Sequence, residues 1–260
     1  MSLKGKVALV TGVGGPAGIG FAIAKKLGQA GAIIGIAAIS DDVHERAKEL
    51  QSLGYSVRPY KLDLTKFDDV RTMTDDLLRE QTGRIDILVN NAGIGPRARG
   101  FDLYDKLLVD LTEEEWDYQI AVNLKTTFNC IKTVLPTMIR QKYGRIVNMS
   151  SVTGNIVSDP ASTAYSAAKA AVSGLTKALA LEVAEYGITV NAVCPGWIDT
   201  GRDVERIAGL ASPMKRAGRP EEVANLVLFL SSYDSSYITG QNVFIDGANN
   251  LQEYKGKGDL

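Results

Sequence analysis

Short apolar runs rich in valine and isoleucine alternate with longer stretches of helical periodicity along this chain of 260 residues. The sequence predicts strands at residues 7–10, 33–38, 56–62, 85–90, 145–149, 189–193 and 242–245. It predicts helices over residues 18–30, 41–53, 67–82, 112–142, 160–186 and 220–232. Continuous apolar strands separated by helices are typical of a parallel sheet with both faces covered, because each right-handed crossover lays a helix over the sheet. The predicted fold class is therefore α/β, with one doubly wound parallel sheet of seven strands.

The charge balance indicates a protein whose partner is a small molecule. The 29 basic and 30 acidic side chains leave a net charge of −1, so no overall basic field favours nucleic acid or an anionic membrane surface. No apolar run approaches the roughly 20 residues that span a bilayer, and we expect a cytoplasmic protein. Cys130 and Cys194 are too few for a disulfide framework, and a single histidine, His44, excludes the commonest zinc sites.

A glycine-rich turn over residues 11–20 joins the first predicted strand to the first predicted helix. Glycines let the backbone approach a ligand closely, and a helix N-terminus offers N–H groups and a partial positive charge, so a pyrophosphate fits at this turn. Taken alone, the same residues also fit an ordinary tight strand-to-helix loop.

Further motifs follow the turn in order: Asn90-Asn91-Ala92-Gly93 after the fourth strand, Tyr165 and Lys169 on a long helix, and Pro195-Gly196 after the sixth strand. Together with the turn they resemble the short-chain dehydrogenase/reductase family, and the resemblance covers almost the whole chain. A Tyr-x-x-x-Lys spacing arises often by chance, so the joint occurrence of the motifs carries the resemblance.

The turn departs from the family pattern Thr-Gly-x-x-x-Gly-x-Gly by two extra residues between Gly12 and Gly18. Two registers are therefore open for the glycines that hold phosphate. One uses Gly12, Gly18 and Gly20, and the other, Gly12-x-Gly14-x-x-Ala17, fits the generic dinucleotide fingerprint. We favour the first register because helical periodicity begins only after Gly18.

The resemblance implies an acid/base site on the long helix. Tyr165 and Lys169 are four residues apart and hence on one helix face, where an ammonium can stabilise a nearby phenolate. Tyr165 would exchange a proton with the substrate oxygen, Ser151 would hydrogen-bond that oxygen, and Asn123 would hold a water in a proton relay from Lys169. Ser150 is the competing serine, but the family usually uses the second of such a pair. Each residue alone also fits a structural role.

The resemblance also implies a nicotinamide dinucleotide. An acidic residue at the end of the second strand commonly selects NAD, because it binds the ribose 2′-hydroxyl and repels a 2′-phosphate. That position is Ala38, which favours NADP over NAD, although no Arg or Lys sits nearby in the sequence and two aspartates follow Ser40. The full predicted cofactor set is Gly12, Gly18, Ile19, Gly20, Ala38, Ser40, Asp63, Leu64, Asn90, Ala92, Gly93, Tyr165, Lys169, Pro195, Gly196, Ile198 and Thr200.

We expect one NAD(P)-binding Rossmann domain over residues 1–260, with sheet order 3-2-1-4-5-6-7. Its expected function is hydride transfer between the cofactor and a ketone or secondary alcohol, with a 3-oxoacyl thioester as one substrate and a sugar or polyol as the rival. A nucleotide-sensing protein without turnover is an alternative of another class, against which the complete Ser151, Tyr165 and Lys169 argue. The helices at 112–142 and 160–186 match those that pair in the family's tetramers, so we expect a homotetramer.

Substrate choice is expected to depend on the loops at 94–111 and 197–218. The first loop carries Arg97, Arg99 and Lys106, which could recognise a carboxylate or phosphate. We favour a solvated or subunit-contacting loop instead, because nearby aspartates offset the positive charge.

Overall fold

The computed structural model describes residues 1–81, 83–93 and 106–252, together with the backbone of a two-stranded ribbon formed by Arg97–Ala98 and Phe101–Asp102. The main sheet has seven strands, all paired in parallel, in the order β3-β2-β1-β4-β5-β6-β7. They are β1 Val7–Thr11, β2 Ile33–Ala38, β3 Val57–Lys61, β4 Ile87–Asn90, β5 Gly144–Met149, β6 Ile188–Pro195 and β7 Asn242–Ile245. The predicted α/β class and strand order are confirmed.

The helices that connect these strands lie close to their predicted positions. They are α1 Ile19–Gln29, α2 Asp42–Ser52, α3 Phe67–Glu80, α4 Glu113–Ile120, α5 Thr126–Gln141, α6 Thr163–Val183, α7 Asp203–Gly209 and α8 Pro220–Leu230. The predicted helix at 112–142 is divided between α4 and α5 by a π-helical stretch, Ala121–Lys125, and α7 was not predicted. Within the described residues, no helix is long and apolar enough to cross a membrane.

The core consists of two apolar clusters, one on each face of the sheet. One cluster combines the sheet with α1, α2 and α8, and the other combines it with α3, α5 and α6. In β1, Ala8 and Val10 belong to the first cluster, whereas Val7 and Leu9 belong to the second. A strand buried on both faces favours apolar residues at every position, which explains the continuous apolar runs of β1 and β2, whereas the edge strand β3 is partly exposed and carries Arg58 and Lys61.

The sheet order places the candidate site. The order runs outward from β1 to β3 on one side and from β4 to β7 on the other, so the direction of winding changes between β1 and β4. Ligands of doubly wound sheets bind in the crevice outside the carboxyl ends of the strands at this switch point. The residues after β1, β4, β5 and β6 therefore share one edge of the molecule.

At the opposite edge of the sheet, the buried carboxylate of Asp86, just before β4, binds the start of β1. It accepts a hydrogen bond from the backbone N–H of Val7 at 3.0 Å and pairs with Lys6 at 3.4 Å and Arg84 at 2.6 Å. We expect Asp86→Ala to lower the free energy of unfolding by about 3 to 5 kcal/mol, because a buried donor and two cations lose their partner. Urea denaturation followed by circular dichroism measures the change.

The matched control is Asp68→Ala, which removes an exposed aspartate paired with Arg71. Its expected cost is below about 1 kcal/mol, as for other solvated ion pairs. Equal losses of unfolding free energy in the two variants would show that burial does not determine how much Asp86 contributes to stability.

Candidate active site

The glycine-rich turn approaches the segment after β4 so closely that side chains are excluded. Gly12 has a φ of +74°, and a Cβ built on it would lie 2.9 Å from the Cα of Ala92. A Cβ on Gly20 would lie 2.5 Å from the carbonyl oxygen of Gly12 and 2.6 Å from Nδ2 of Asn91. Glycine is therefore required at both positions by packing and, at Gly12, also by backbone conformation.

Hydrogen bonds of Thr11 and Asn91 stabilise the contact between the turn and the segment after β4. Neither residue was among the predicted cofactor residues. The Thr11 hydroxyl accepts hydrogen bonds from the backbone N–H groups of Asn91 and Ala92, both at 3.0 Å. In return, the Asn91 amide donates to the carbonyl oxygens of Thr11 at 3.0 Å and Gly12 at 3.3 Å. Both residues belong to motifs that the sequence analysis had already named, and this membership was the available signal in the sequence.

The first turn of α1 has the features that an anion requires. Gly18 is the N-cap and Ile19 the first helical residue, in line with the register chosen from periodicity. In this fully described stretch, no side chain caps the helix and the first turn carries no acidic residue. The partial positive charge of the helix end is thus left without a protein carboxylate, which fits a pyrophosphate.

The side chains of Lys169 and Asn123 meet at Gly93. A Cβ built on Gly93 would lie 2.8 Å from Oδ1 of Asn123 and 3.2 Å from Nζ of Lys169. The Lys169 ammonium donates to the carbonyl oxygen of Met149 at 3.0 Å, and Nζ lies 5.6 Å from the centre of the Tyr165 ring. The structure therefore brings three of the four predicted catalytic residues into one cluster beside β4 and β5.

Asn123 lies in the π-helical stretch between α4 and α5. Its Nδ2 donates to the backbone oxygen of Gln119 at 3.1 Å and to Oε1 of the same residue at 3.0 Å. Single π-helical turns occur often at functional sites, because they reorient one side chain within a helix. The sequence analysis placed Asn123 inside a helix but did not predict this local widening.

The two serines after β5 have different surroundings. The Ser150 hydroxyl donates to the carbonyl oxygen of Lys169 at 2.7 Å and accepts from Nδ2 of Asn155 at 2.8 Å. The Ser151 hydroxyl accepts from the backbone N–H of Thr153 at 3.1 Å. Because Ser150 is engaged with the interior of α6, this geometry favours Ser151 for contact with a substrate, and that role stays a prediction.

Burial controls the charge of Lys169. The residue is 5% exposed, and desolvation lowers its pKa to about 8, while the nearby Cys194 opposes the shift. Burial also raises the pKa of the Cys194 thiol to about 11. Lys169 is therefore still protonated near neutral pH, and its positive charge lies in a dry environment where it acts strongly on the neighbouring phenol.

Arg46 of α2, which the sequence analysis did not single out, contacts the glycine-rich turn near the end of β2. A Cβ built on Gly14 would lie 3.3 Å from Oγ of Ser40 and 3.7 Å from Cβ of Ala38. Arg46 of α2 donates to the Gly14 carbonyl oxygen at 3.4 Å. No Arg or Lys lies near Ala38 in the sequence, but in the fold Lys61 of β3 is paired with Ala38, and Arg46 of α2 contacts Gly14.

The predicted residues Asn90, Asp63 and Leu64 have structural partners. Nδ2 of Asn90 donates to Oδ1 of Asn148 at 2.9 Å and links β4 to β5. Asp63 accepts hydrogen bonds from the backbone N–H and the hydroxyl of Thr65 at 3.0 and 2.7 Å, in the loop before α3, whose N-cap is Lys66. Leu64 is buried.

The segment after β6 lies against the glycine-rich turn. A Cβ on Gly196 would lie 2.7 Å from Cβ of Asp246, and one on Gly201 would lie 3.8 Å from Cβ of Ala17. The backbone N–H of Thr200 donates to the buried carboxylate of Glu205 at 2.7 Å, and the Thr200 hydroxyl donates to it at 2.8 Å. Glu205 thus fixes Thr200, a contact that sequence analysis missed. The predicted Pro195 ends β6, and Ile198 forms an isolated bridge to Gly218.

The loop at 94–111, for which anion recognition was the less favoured reading, is described from residue 106 onward and in the backbone of its two-stranded ribbon. Arg99 and the Arg97 side chain lie outside the described residues. Lys106 pairs with the buried carboxylate of Glu115, which lowers the pKa of that carboxyl. Lys106 and Leu108 line a small cavity together with Tyr165.

Comparisons with known proteins agree with this geometry. A family model described as Enoyl-(Acyl carrier protein) reductase matches residues 12–248. Oxidoreductase UcpA of Salmonella typhimurium is 42% identical over 265 aligned residues, which cover 96% of this chain and 97% of that protein. The 3-oxoacyl-(acyl-carrier-protein) reductase FabG of Thermotoga maritima is 44% identical over 254 residues, covering 95% of this chain and 98% of that protein.

A solved structure shares the fold over nearly its full length. A 3-oxoacyl-(acyl-carrier protein) reductase with bound NAD from Brucella melitensis superposes with a TM-score of 0.86 at 37% identity. The superposition covers 95% of this chain and 91% of that one.

The buried Lys169 makes stability depend on pH in a defined direction. The pKa of Lys169 is about 8 in the folded protein, whereas the pKa of an exposed lysine is 10.5, so between these values the unfolded chain binds more protons. The contribution of Lys169 to the free energy of unfolding therefore rises with pH in this window, by at most about 1.4 kcal/mol per pH unit, and is flat below it. Urea denaturation across this range should show the rise in the unmodified protein and not in Lys169→Met.

Lys177→Met, which removes an exposed lysine of the same helix, is the matched control and should retain the rise. The same slope in Lys169→Met as in the unmodified protein would show that Lys169 does not titrate in this window.

Proposed function

Because the chain belongs to the short-chain dehydrogenase/reductase family, we propose that it reduces the ketone of a 3-oxoacyl thioester, or oxidises the matching alcohol. The observation that carries the proposal is the cluster at Gly93, where a buried ammonium lies beside Tyr165 and Asn123. A bound nicotinamide dinucleotide supplies or accepts the hydride. The chain itself has to hold the dinucleotide, orient the substrate oxygen and move one proton.

The dinucleotide would lie across the carboxyl edge of the sheet. Its pyrophosphate would meet Gly12, Gly18 and the uncapped start of α1. Its nicotinamide end would reach the segments after β4 and β6, where Gly93 and Thr200 lie. We propose a preference for NADP over NAD because Ala38 provides no carboxylate to repel a 2′-phosphate.

Tyr165 is the proposed acid/base. Its phenol donates a proton to the carbonyl oxygen as that oxygen gains negative charge, and it takes the proton back in the reverse direction. The charge of Lys169 stabilises the phenolate, and Ser151 donates a hydrogen bond to the same substrate oxygen. Asn123, whose Oδ1 lies beside Gly93 as the Lys169 ammonium does, would hold a water that returns the proton.

The thioester is supported by the comparisons and by the surface beside Tyr165. The family model and the Thermotoga relative are both described as reductases of acyl carrier protein substrates. Leu108, which lines the cavity with Tyr165, is 60% exposed, and Val109 is 87% exposed. An aliphatic surface at this position favours an acyl chain over the sugar or polyol that is the alternative substrate.

The domain organisation, location and assembly of the protein are part of the same proposal. Residues 1–260 act as a single NAD(P)-binding domain, and the protein assembles as a cytoplasmic homotetramer. Phe128 of α5 and Leu181 of α6 are exposed apolar side chains on the two helices expected to pair between subunits, and their burial would favour assembly. Its partners are small carbonyl or alcohol substrates rather than nucleic acid or membranes.

Replacing Tyr165 with Phe tests the acid/base directly. We expect the purified protein to consume NADPH or NADH with short 3-oxoacyl thioesters, and Tyr165→Phe to reduce kcat by about 100-fold to 10,000-fold while cofactor affinity is retained, since only the transferable proton is removed. Nicotinamide absorbance in a panel of ketones, oxoacyl thioesters, sugars and polyols measures the rate. Tyr237→Phe, at an exposed tyrosine, is the matched control and should leave the rate unchanged. Near-normal turnover of Tyr165→Phe would remove this residue from the chemistry.

Ala38→Asp tests the cofactor preference. A carboxylate at this position should shift the ratio of affinities toward NAD by at least about tenfold, because it binds the ribose hydroxyl and repels the 2′-phosphate. Dissociation constants for NAD and NADP, obtained by calorimetric titration, give the ratio. Ala38→Asn, which adds a side chain of similar size without the charge, is the control and should shift the ratio of affinities much less. An unchanged ratio in Ala38→Asp would place the ribose elsewhere.

A further inference from the structure

The amide of Asn155, in the loop after β5, is hydrogen-bonded to both of the serines that follow this strand. Its Nδ2 donates to the hydroxyl oxygen of Ser150 at 2.8 Å and to the carbonyl oxygen of Ser151 at 2.8 Å. A primary amide nitrogen carries two hydrogens, so these two bonds use its full donor capacity. Because the amide group is planar, the Ser150 hydroxyl and the Ser151 carbonyl are held at a fixed position relative to each other.

The bond to Ser150 connects Asn155 with the helix that carries Lys169. The Ser150 hydroxyl donates its one hydrogen to the carbonyl oxygen of Lys169 at 2.7 Å, so the Ser173 hydroxyl, 3.1 Å away, donates to Ser150 in turn. Ser150, Lys169 and Ser173 are all buried. The Asn155 amide is thereby anchored to the interior face of α6, while its second hydrogen is directed at Ser151.

A backbone contact fixes the same loop against α6 beside Tyr165. Gly154 has a φ of +84°, and a Cβ built on it would collide with the carbonyl oxygen of Ser166. The hydroxyls of Ser158 and Ser166 lie 2.7 Å apart. Because Ser166 directly follows Tyr165, the loop as a whole is held at a set distance from the phenol. The orientation of Ser151 within the loop depends on a separate contact, the bond from Asn155.

The hydrogen bonds of Ser151 leave its hydroxyl suited to donate. The hydroxyl oxygen accepts from the backbone N–H of Thr153 at 3.1 Å. A hydroxyl that accepts an N–H in this way keeps its own hydrogen for another acceptor, such as a carbonyl oxygen that gains negative charge. The direction of that hydrogen depends on the backbone conformation of Ser151, and the Ser151 carbonyl oxygen is the group that Asn155 binds.

We propose that Asn155 is a positioning residue that acts through Ser151 on the ketone reduction. The inference rests on the proposed function, because it takes Ser151 to donate a hydrogen bond to the substrate oxygen. With the Asn155 amide in place, the Ser151 peptide is fixed and its hydroxyl is pre-oriented for the transition state. Without the amide, the peptide is free to rotate and the hydroxyl loses this orientation. Binding of the dinucleotide uses other residues and is retained.

The experiment is a kinetic double-mutant cycle of Asn155 and Ser151, run with the best substrate of the carbonyl panel. We expect Asn155→Ala to lower kcat by about tenfold, with the KM and the dissociation constant of the dinucleotide changed by less than about threefold. Ser151→Ala should lower kcat by about 100-fold or more. In the Ser151→Ala background, adding Asn155→Ala should lower kcat further by less than about twofold, because the group that Asn155 positions is gone.

Asn155→Asp keeps the shape of the side chain but cannot donate to the Ser151 carbonyl, so it should lose at least as much kcat as Asn155→Ala. Ile156→Ala truncates the exposed neighbouring side chain of the same loop and is the matched control, with kcat unchanged. The affinity for the dinucleotide reports whether each variant is folded.

Two results would overturn the proposal. The same fractional loss from Asn155→Ala in both backgrounds would mean that Asn155 supports the fold and does not act through Ser151. An unchanged kcat in Asn155→Ala and Asn155→Asp would mean that Ser151 needs no such support. Absence of turnover of every panel compound by the unmodified protein would instead contradict the proposed function.

Discussion

The close contact between the glycine-rich turn and the segment after β4 determines the geometry of the whole site. It joins the ends of β1 and β4, the two strands between which the winding of the sheet changes direction. Because a Cβ at Gly12 or Gly20 would collide with backbone, the turn and the segment that carries Gly93 are fixed relative to each other. The start of α1 and the Lys169 cluster at Gly93 are thereby held on the same edge, at a spacing set by backbone and not by mobile side chains.

A second constraint is that the charge of Lys169 must be kept where water is scarce. Removing an ammonium from water is unfavourable, as its lowered pKa shows, and the loss is offset only in part by the Met149 carbonyl oxygen. The same low local dielectric strengthens the effect of that charge on Tyr165. Burial of Lys169 therefore reduces the stability of the fold and, in the proposed mechanism, supports the chemistry, a combination that is found where groups are tuned for catalysis.

The sequence was informative wherever one local pattern determined the structure. The central strands were predictable because burial on both faces favours apolar residues at every position, as Val7, Ala8 and Leu9 of β1 show. The helix α7 was missed because it buries only Glu205 and Gly209, so its apolar residues show no inward-facing period. The π-helical turn at Asn123 was missed because its side-chain pattern is that of an ordinary helix. The contact of Arg46 with Gly14 was missed because the two residues are 32 positions apart and come together only when α2 packs beside the glycine-rich turn.

In the proposed function, substrate choice depends on the surface around the acid/base residues and not on the acid/base residues themselves. Any carbonyl compound could use the same phenol and hydroxyl, so the roles proposed for Tyr165 and Ser151 would define the reaction without selecting the molecule. In the proposed function, selection belongs to the surface that begins at Leu108, beside Tyr165, where Leu107, Leu108 and Val109 expose aliphatic side chains to water. An acyl chain that covers them removes apolar surface from water, which is favourable, whereas a polyol would have to place hydroxyl groups against carbon and lose hydrogen bonds to water. The proposed acid/base residues and this surface can therefore vary separately, and the exposed aliphatic side chains are the reason that an apolar tail is proposed for the substrate of this chain.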